Sequence, residues 1–486
     1  MAYRILFITA EYAPLAKTGG LADVSTALTR YLHRGGHDVR VFMPYYRQVA
    51  AAGLALWPVE FLQDLEMTVG EHRYRYRVLT GAAPGADLQL YFIDCPELYD
   101  RPGIYGETAD EARRFLLLTR AALECAQRMA FAPHILHCND WHTALGPLLL
   151  KTTYAWDQLF AATRSVLTIH NLAYQGVFGA EHADELGLGD ASWLLHQQDL
   201  AEGRINSLLH GILYADLVTT VSPGYAREIC TAEYGAGLDS FLRARGERVV
   251  GILNGVDYEE WDPSTDRYLP VRFGADDLTG KAAVRRALSA RVGIAIPDGV
   301  PLIGMISRLV GQKGIELIIP VLPEFLRRGD CALVVLGTGE ARYEDFFAGL
   351  ALEFPGRVAF HRGYSEELAH WIEAGADMFL MPSQYEPCGL NQMYSLRYGT
   401  APIVRRTGGL ADSVVHYSRD DGTGTGVVFD HYEAASLRWA LDYAIRLYRE
   451  PAQWARLVAN AMRQDYSWTQ QGACYLEQYA RLVGPS

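Results

Sequence analysis

The chain has 486 residues, half of them hydrophobic, with 44 Lys+Arg against 57 Asp+Glu and a formal charge of −13. At roughly 100–200 residues per domain, two to four globular domains are expected. The composition excludes a disordered, collagen-like or solenoid chain, and the acidic balance lacks the basic footprint of a nucleic-acid binder.

Along the chain, short β-branched runs alternate with longer helical patterns. The first run, Ile5–Thr9, has the length of one buried strand, and Glu11 interrupts it too early for a signal-peptide core. Further strands are predicted at Val39–Met43, Ile135–His137, Ser165–His170, Leu217–Val221 and Val249–Leu253. A second set follows at Leu302–Ser307, Ala332–Gly337, Val358–His361, Met378–Met381, Pro402–Val404 and Gly426–Phe429. Near-continuous apolar strands followed by helices predict α/β domains with doubly wound parallel sheets, covered on both faces. Segments 73–80 and 88–93 alternate more and predict a hairpin inserted in the first half. The turn signals Asn254-Gly255 and Asp262-Pro263 separate the two sets. The expected division is 1–255, 256–465 and a tail, 466–486, whose Cys474, Leu476, Tyr479 and Leu482 are spaced for one helical face. Two such domains facing across a deep cleft would turn the carboxyl ends of both sheets towards it, where α/β sheets bind ligands.

No stretch approaches the ~18 apolar residues that span a bilayer, so no membrane association is expected. The seven cysteines (Cys95, Cys125, Cys138, Cys230, Cys331, Cys388 and Cys474) are scattered, with no CxxC pair. This argues against a disulfide framework or a cysteine zinc site and fits a reducing, cytoplasmic location.

The hexapeptide Thr18-Gly-Gly-Leu-Ala-Asp23 recurs as Thr407-Gly-Gly-Leu-Ala-Asp412, each copy after a predicted strand and at the head of a helical pattern. It reads either as a reused strand-to-helix turn or, the favoured reading, as two anion-binding helix N-termini. The Walker pattern is absent. After the Met378–Met381 strand comes Glu386-Pro-Cys-Gly-Leu-Asn391. There the N–H groups of Gly389, Leu390 and Asn391 would suit a diphosphate. Glu386 reads equally as a carboxylate facing developing positive charge and as a helix-start acid. Cys388 fits packing or donor contact better than a nucleophile. Arg308, Lys313 and Lys17 lie beyond strand carboxyl ends, where cations can neutralise a leaving diphosphate. In the first half, His137-Cys-Asn-Asp-Trp-His142 and His170-Asn171 follow two strands. His137 and His142 are not at the i, i+4 spacing of a helical zinc pair, and no H-E-x-x-H or G-x-S-x-G occurs. Asp140, Trp141, His170 and Asn171 look more like a polar and aromatic lining for a carbohydrate.

Taken together the motifs resemble the bacterial glycogen synthase and plant starch synthase family, retaining glycosyltransferases with the two-Rossmann GT-B fold. The resembling residues are Lys17-Thr-Gly-Gly-Leu-Ala-Asp-Val24, His137–His142, Thr168-Ile-His-Asn-Leu172, Ile252-Leu-Asn-Gly-Val-Asp257, Ser307-Arg-Leu309, Gln312-Lys-Gly314, Glu386–Leu390 and Arg405–Asp412. They run in family order over nearly the whole chain. Length and the lack of a transit peptide look like the bacterial, ADP-glucose-using branch.

The resemblance implies extension of α-1,4-glucan (glycogen or maltooligosaccharide) from ADP-glucose, with ADP released and no cofactor or metal required. It makes 1–255 the acceptor side, 256–465 the nucleotide-sugar domain and the tail a helix crossing back to the first domain. Lys17, Arg308 and Lys313 would hold the diphosphate, with Gly20, Thr407 and Gly408 close by. Tyr364 would stack near adenine, Asn254 would sit on the hinge side of the nucleotide, and Gly337-Thr-Gly339 would form a turn beside the donor. Asp140, Trp141, Asn171, Tyr105 and Tyr174 would line the acceptor side. Glu386 would position glucose and the His170 backbone carbonyl would face the oxocarbenium-like charge. Many related GT-B enzymes carry a second Glu eight residues after the first; here that position is Tyr394. Three rival readings remain at this stage: a pyridoxal-phosphate glucan phosphorylase, a catalytically dead glucan binder, and the same transfer from UDP-glucose. Oligomeric state is not readable from these residues.

Overall fold

Every strand of the first parallel set begins or ends within a few residues of its apolar run in the computed structural model, which describes residues 2–484. The described chain divides into two units. One holds the chain up to Val221, then Ala226–Gly255 and the segment from Trp468 onward; the other holds Ser222–Tyr225 and Val256–Ser467.

The first unit is built on one large sheet. Its strand order is Val249–Gly251, Leu217–Thr220, Arg164–Ile169, Ile135–Asn139, Arg4–Ile8, Asp38–Pro44 and Gln89–Asp94, all parallel. Ile5 to Ile8 are fully buried, as a strand covered on both faces requires. The predicted hairpin is present: His72–Ala82 pairs antiparallel with Gln89–Asp94. Two strands on its far side, Trp57–Pro58 and Leu65–Val69, were not foreseen. The second alternates buried and exposed and turns back through Gly70, whose φ of 59° suits glycine. Arg4–Ile8 has Asp38–Pro44 on one side and Ile135–Asn139 on the other, so the strand order reverses there. That switch point opens a crevice at the strands' carboxyl ends.

The helix Trp468–Val483 packs in this unit. Its buried residues are Trp468, Gly472, Tyr475, Gln478 and Tyr479; of the face expected from Cys474, Leu476, Tyr479 and Leu482, Tyr479 is buried and the other three are half-buried. The aromatic side wins because Tyr475 and Tyr479 pack their rings on His137 and Tyr3, and Gly472 lets the helix approach Tyr31, whose ring a Cβ there would overlap. Tyr479 Oη lies 2.6 Å from His137 Nδ1, and His137 Nε2 lies 2.6 Å from Thr168 Oγ1. Complete burial pulls His137 down to about 3, so the ring is neutral. Tyr479→Phe is expected to lower unfolding stability by ~1–3 kcal/mol, because it strands a buried ring nitrogen. An unchanged urea midpoint would contradict that role for the tail.

The second unit holds a wholly parallel six-stranded sheet in the order Val358–Arg362, Ala332–Gly339, Leu302–Leu309, Met378–Met381, Ala401–Arg405 and Val427–Phe429. The helices Ile315–Arg328 and Ala434–Tyr448 bury Ile318, Phe325 and Leu441 against it. Here the order reverses between Leu302–Leu309 and Met378–Met381, placing a second switch point where Arg308, Lys313 and Glu386 follow their strands. The short piece Ser222–Tyr225 is fastened in the same unit: Ser222 Oγ donates to the Pro387 carbonyl at 2.6 Å, and Asp412 Oδ2 accepts from Gly224 N at 2.5 Å. Among the described residues no helix is long and apolar enough to cross a membrane. All seven cysteines are free thiols.

Candidate active site

In the second unit the site is assembled around Glu386. Its carboxylate is 5% exposed; Lys313 Nζ lies 2.7 Å from Oε2, and Ser383 Oγ donates to the same oxygen at 3.0 Å. A buried carboxylate needs such a partner, since an unpaired charge there would be strongly penalised. The loop before it is held from three sides. Gln312 Nε2 donates to the Tyr385 carbonyl at 3.1 Å, and Gln384 N donates to the Gln312 carbonyl at 2.8 Å. Arg405 Nε donates to the Ser383 carbonyl at 3.0 Å, and its other arm reaches Gln384 O. After Glu386, Asn391 Nδ2 donates to the Ile306 carbonyl at 2.8 Å, tying the loop to the neighbouring strand. Gln392 Nε2 donates to the carbonyls of Cys388 and Gly389 at 3.0 and 2.9 Å.

Gly389 has φ 72°, which favours glycine there. Arg308 is exposed at its strand end, and Tyr364 is exposed on a loop with its hydroxyl on Glu366. Both are accessible to a ligand of this unit. Leu390 is half-buried, and Thr407 and Gly408 are buried. Tyr394, standing where related enzymes carry the second Glu, is buried and stacked face to face on Trp261 at 4.0 Å. It is a packing residue here.

The recurring hexapeptide meets oxygen atoms of the chain itself in both copies. In the second copy, Gly409 N donates to the carbonyls of Glu386 and Pro387 at 3.1 and 3.2 Å. A Cβ on Gly408 would overlap the Glu386 carbonyl oxygen, and one on Gly409 would overlap Cys388. These glycines let two backbones touch and so fix the Glu386 loop. In the first copy, the N–H groups of Thr18 and Gly19 are taken by an internal anion, Glu11, whose Oε2 accepts from them at 2.7 and 3.2 Å. Gly337-Thr-Gly339 is also corrected: it ends a strand rather than forming a turn, and Gly339 N donates to Glu344 Oε1 at 2.9 Å.

In the first unit the polar residues gather at the switch point. Glu11 is 3% exposed, and its Oε1 accepts from Thr18 Oγ1 and from Tyr105 Oη, both at 2.7 Å. Glu11 was not singled out as a site residue; its signal was the carboxylate that breaks an apolar run just past a buried strand. Lys17 Nζ lies 2.8 Å from Asp23 Oδ1. Gly20 opens the helix Gly20–Arg34. Tyr105 stacks on His142 at 4.7 Å, and His142 stacks on Trp141 at 4.2 Å. Trp141 fills the space above Gly176, where a Cβ would overlap its ring. Tyr174 stands 54% exposed. Asn254 belongs to this unit, and its Oδ1 is buried without a hydrogen bond.

Asp140 is the strained member. Its φ is 51°, an uncommon conformation for a residue with a side chain. Its Oδ1 accepts from the backbone N of His170 at 2.6 Å and of Asn171 at 3.3 Å. Asn171 in turn accepts from Ala173 N through Oδ1 at 3.1 Å. Asn139 Nδ2 donates to the Ile8 carbonyl at 3.0 Å, leaving its Oδ1 to face His170 Nε2 at 3.1 Å. That assigns the proton of the His170 ring to Nε2, and burial keeps the ring neutral by pulling it down to about 3. Burial also pushes the Asp140 carboxyl up to about 7, against the two backbone donors that lower it.

A raised acid in the folded state binds a proton that the unfolded chain has lost. The stability this gives is full below the ordinary carboxyl range, falls as pH rises towards about 7, and is flat above. Asp140→Asn keeps the acceptor oxygen and removes the titration. Its melting temperature should therefore gain on the wild type between about pH 4 and pH 7. A pH-independent difference would refute the raised carboxyl.

Both switch points thus carry the residues that sequence motifs singled out, one rich in cations around a buried acid and one lined with aromatic and amide groups. Residues 4–244 match the starch synthase catalytic domain family, and residues 289–460 match the glycosyl transferases group 1 family. The chain is 45% identical to a glycogen synthase of Anaeromyxobacter dehalogenans, over 99% of each chain. It is 44% identical to a glycogen synthase of Thioalkalivibrio sulfidiphilus, over 99% of this chain and all of the other. Its fold is similar to that of the catalytic domain of starch synthase IV from Arabidopsis thaliana, solved bound to ADP and acarbose. That match has a TM-score of 0.90 and 35% identity, and covers 99% of this chain and 100% of that one. The chain is a glycosyltransferase of the GT-B fold. It belongs to the glycogen and starch synthase family.

Proposed function

We propose that this enzyme transfers glucose from ADP-glucose to the non-reducing 4-OH of an α-1,4-glucan, with retention, and releases ADP. The observation that carries this reading is the Lys313–Glu386 pair, 2.7 Å apart at the second switch point. Lys313 and Arg308 supply cations for the diphosphate. Gly389, Leu390, Asn391, Cys388, Thr407 and Gly408 border the same donor position, and exposed Tyr364 offers a face for adenine. Glu386 holds the transferred glucose by its hydroxyls.

Asp140, Trp141, Asn171, Tyr105 and Tyr174 bind the glucan, whose sugar faces suit aromatic platforms. Asp140 fixes the His170 peptide, and the carbonyl of His170 faces the charge that develops at the sugar's anomeric carbon. Retention by a covalent intermediate calls for carboxylates about 5–5.5 Å apart across the bond. The reading adopted here is a front-face path. The C1–O bond to ADP breaks, the acceptor O4 bonds to C1 from the same side, and the O4 proton passes to the leaving diphosphate oxygen. No cofactor or metal takes part in that step.

The test is glucose incorporation into glycogen from ADP-glucose and UDP-glucose, run side by side. Strong incorporation from ADP-glucose alone is expected. Preference for UDP-glucose would overturn the donor assignment.

A further inference from the structure

One buried imidazole lies outside the proposed reaction and points at two carboxylates. His370 is fully buried on the helix Glu366–Gly375, one turn after Glu366, so the two side chains share a face. His370 Nδ1 lies 2.7 Å from Asp266 Oδ2, and Tyr398 Oη donates to the same oxygen at 2.6 Å. Trp261 stacks on the ring at 3.8 Å and 11°. The ring is thereby fixed in plane and in rotation. Its Nε2 makes no hydrogen bond among the described residues and lies 3.7 Å from Glu366 Oε1. Glu260 reaches the same place from the turn that starts at Asp257, whose carbonyl accepts from Glu260 N at 3.1 Å. One ligand atom each from Glu260, Glu366 and His370 lies within 4.8 Å of the others.

We propose that Glu260, Glu366 and His370 form a binding site for a divalent transition metal of the zinc class, with water completing the shell. Nitrogen and oxygen ligands about 2.0–2.2 Å from zinc stand roughly 3–3.6 Å apart, so the three ligand atoms, within 4.8 Å of one another, need only small side-chain shifts to close on an ion. A carboxylate on the far ring nitrogen is the usual support of a metal-bound histidine: it sets the tautomer that leaves Nε2 as a lone-pair donor. Asp266 stands in that position. A simple His–Glu ion pair would not need Glu260, nor a ring locked on both its edge and its face. Bound metal would fasten the turn 257–260 to the helix Glu366–Gly375 within the second unit. The site is exposed on the Glu260 side, which gives the ion its entry.

The experiment uses the full chain, freed of metal by chelation and of any tag, and titrated with Co²⁺ as the spectroscopic probe and then Zn²⁺. A visible Co²⁺ band saturating at one equivalent, bleached by one equivalent of Zn²⁺, is expected, with a rise in melting temperature that grows with free Zn²⁺. Glu260→Gln and Glu366→Gln change side chains that reach solvent, and their folding is checked by metal-free melting. Each should weaken Zn²⁺ binding at least ~10-fold, the lower end of what loss of even a supporting group does at metal sites. No saturable one-equivalent binding, or binding unchanged in either variant, would overturn the proposal.

Discussion

Glu386→Ala should lower kcat at least ~10²-fold, the scale of losing one major transition-state contact. Two effects add. The carboxylate proposed to hold the transferred sugar is gone, and Lys313 loses the partner 2.7 Å away that fixes its ammonium. Glu386→Gln keeps the size and the Ser383 contact but removes the charge, so it should recover folding and little of the rate. Because the contact is assigned to the transition state, kcat and kcat/KM should fall together. A raised KM with near-normal kcat would reduce Glu386 to a binding residue.

Gly408→Ala should lower kcat ~10²-fold as well, although residue 408 has no side chain to take part in the reaction. Its φ of 41° disfavours any side chain, and the added methyl would overlap the Glu386 carbonyl oxygen. That carbonyl accepts from Gly409 N at 3.1 Å, so the peptide of the Glu386 loop must shift with it. The strain is worth ~1–3 kcal/mol, and misplacing a reacting group by about 1 Å can take ~10² from the rate. A lower melting temperature should accompany the loss. If Gly408 instead served the donor directly through its backbone, the main effect would be on the KM for the nucleotide sugar. The two outcomes separate a glycine kept for close packing from one kept for a ligand.

Much of the fold was legible because both sheets bury whole apolar runs. Ile5–Ile8 and Met378–Met381 contain no polar residue, and only a strand covered on both faces uses such a run. The edge strands were harder. Leu65–Val69 is one short alternation, and Trp57–Pro58 is two residues held by the neighbouring hairpin. The tail's helical period was legible, but its buried face was not: which side docks depends on the groove beside Tyr31, which sequence spacing does not contain.

At the site, residue identity was readable and partnership was not. Glu386 and Lys313 are 73 residues apart in sequence, and the strand reversal between Leu302–Leu309 and Met378–Met381 brings them together. The repeated Thr-Gly-Gly shows why a glycine's purpose is hard to read: in the second copy the glycines also let the Glu386 loop pack against them. A glycine that lets a ligand approach and a glycine that lets a second backbone approach leave the same letter in the sequence. Glu11 shows the converse: a single acid after a buried strand carried the information, and its four contacts with Thr18, Gly19 and Tyr105 explain it only once the turn is in place.

The most direct test of the whole account is to count both products of one reaction with a glycogen primer and ADP-glucose. The account predicts one ADP released for each glucose added, in α-1,4 linkage at non-reducing ends. Glycogen bound without nucleotide release, or ADP released without polymer growth, would contradict it.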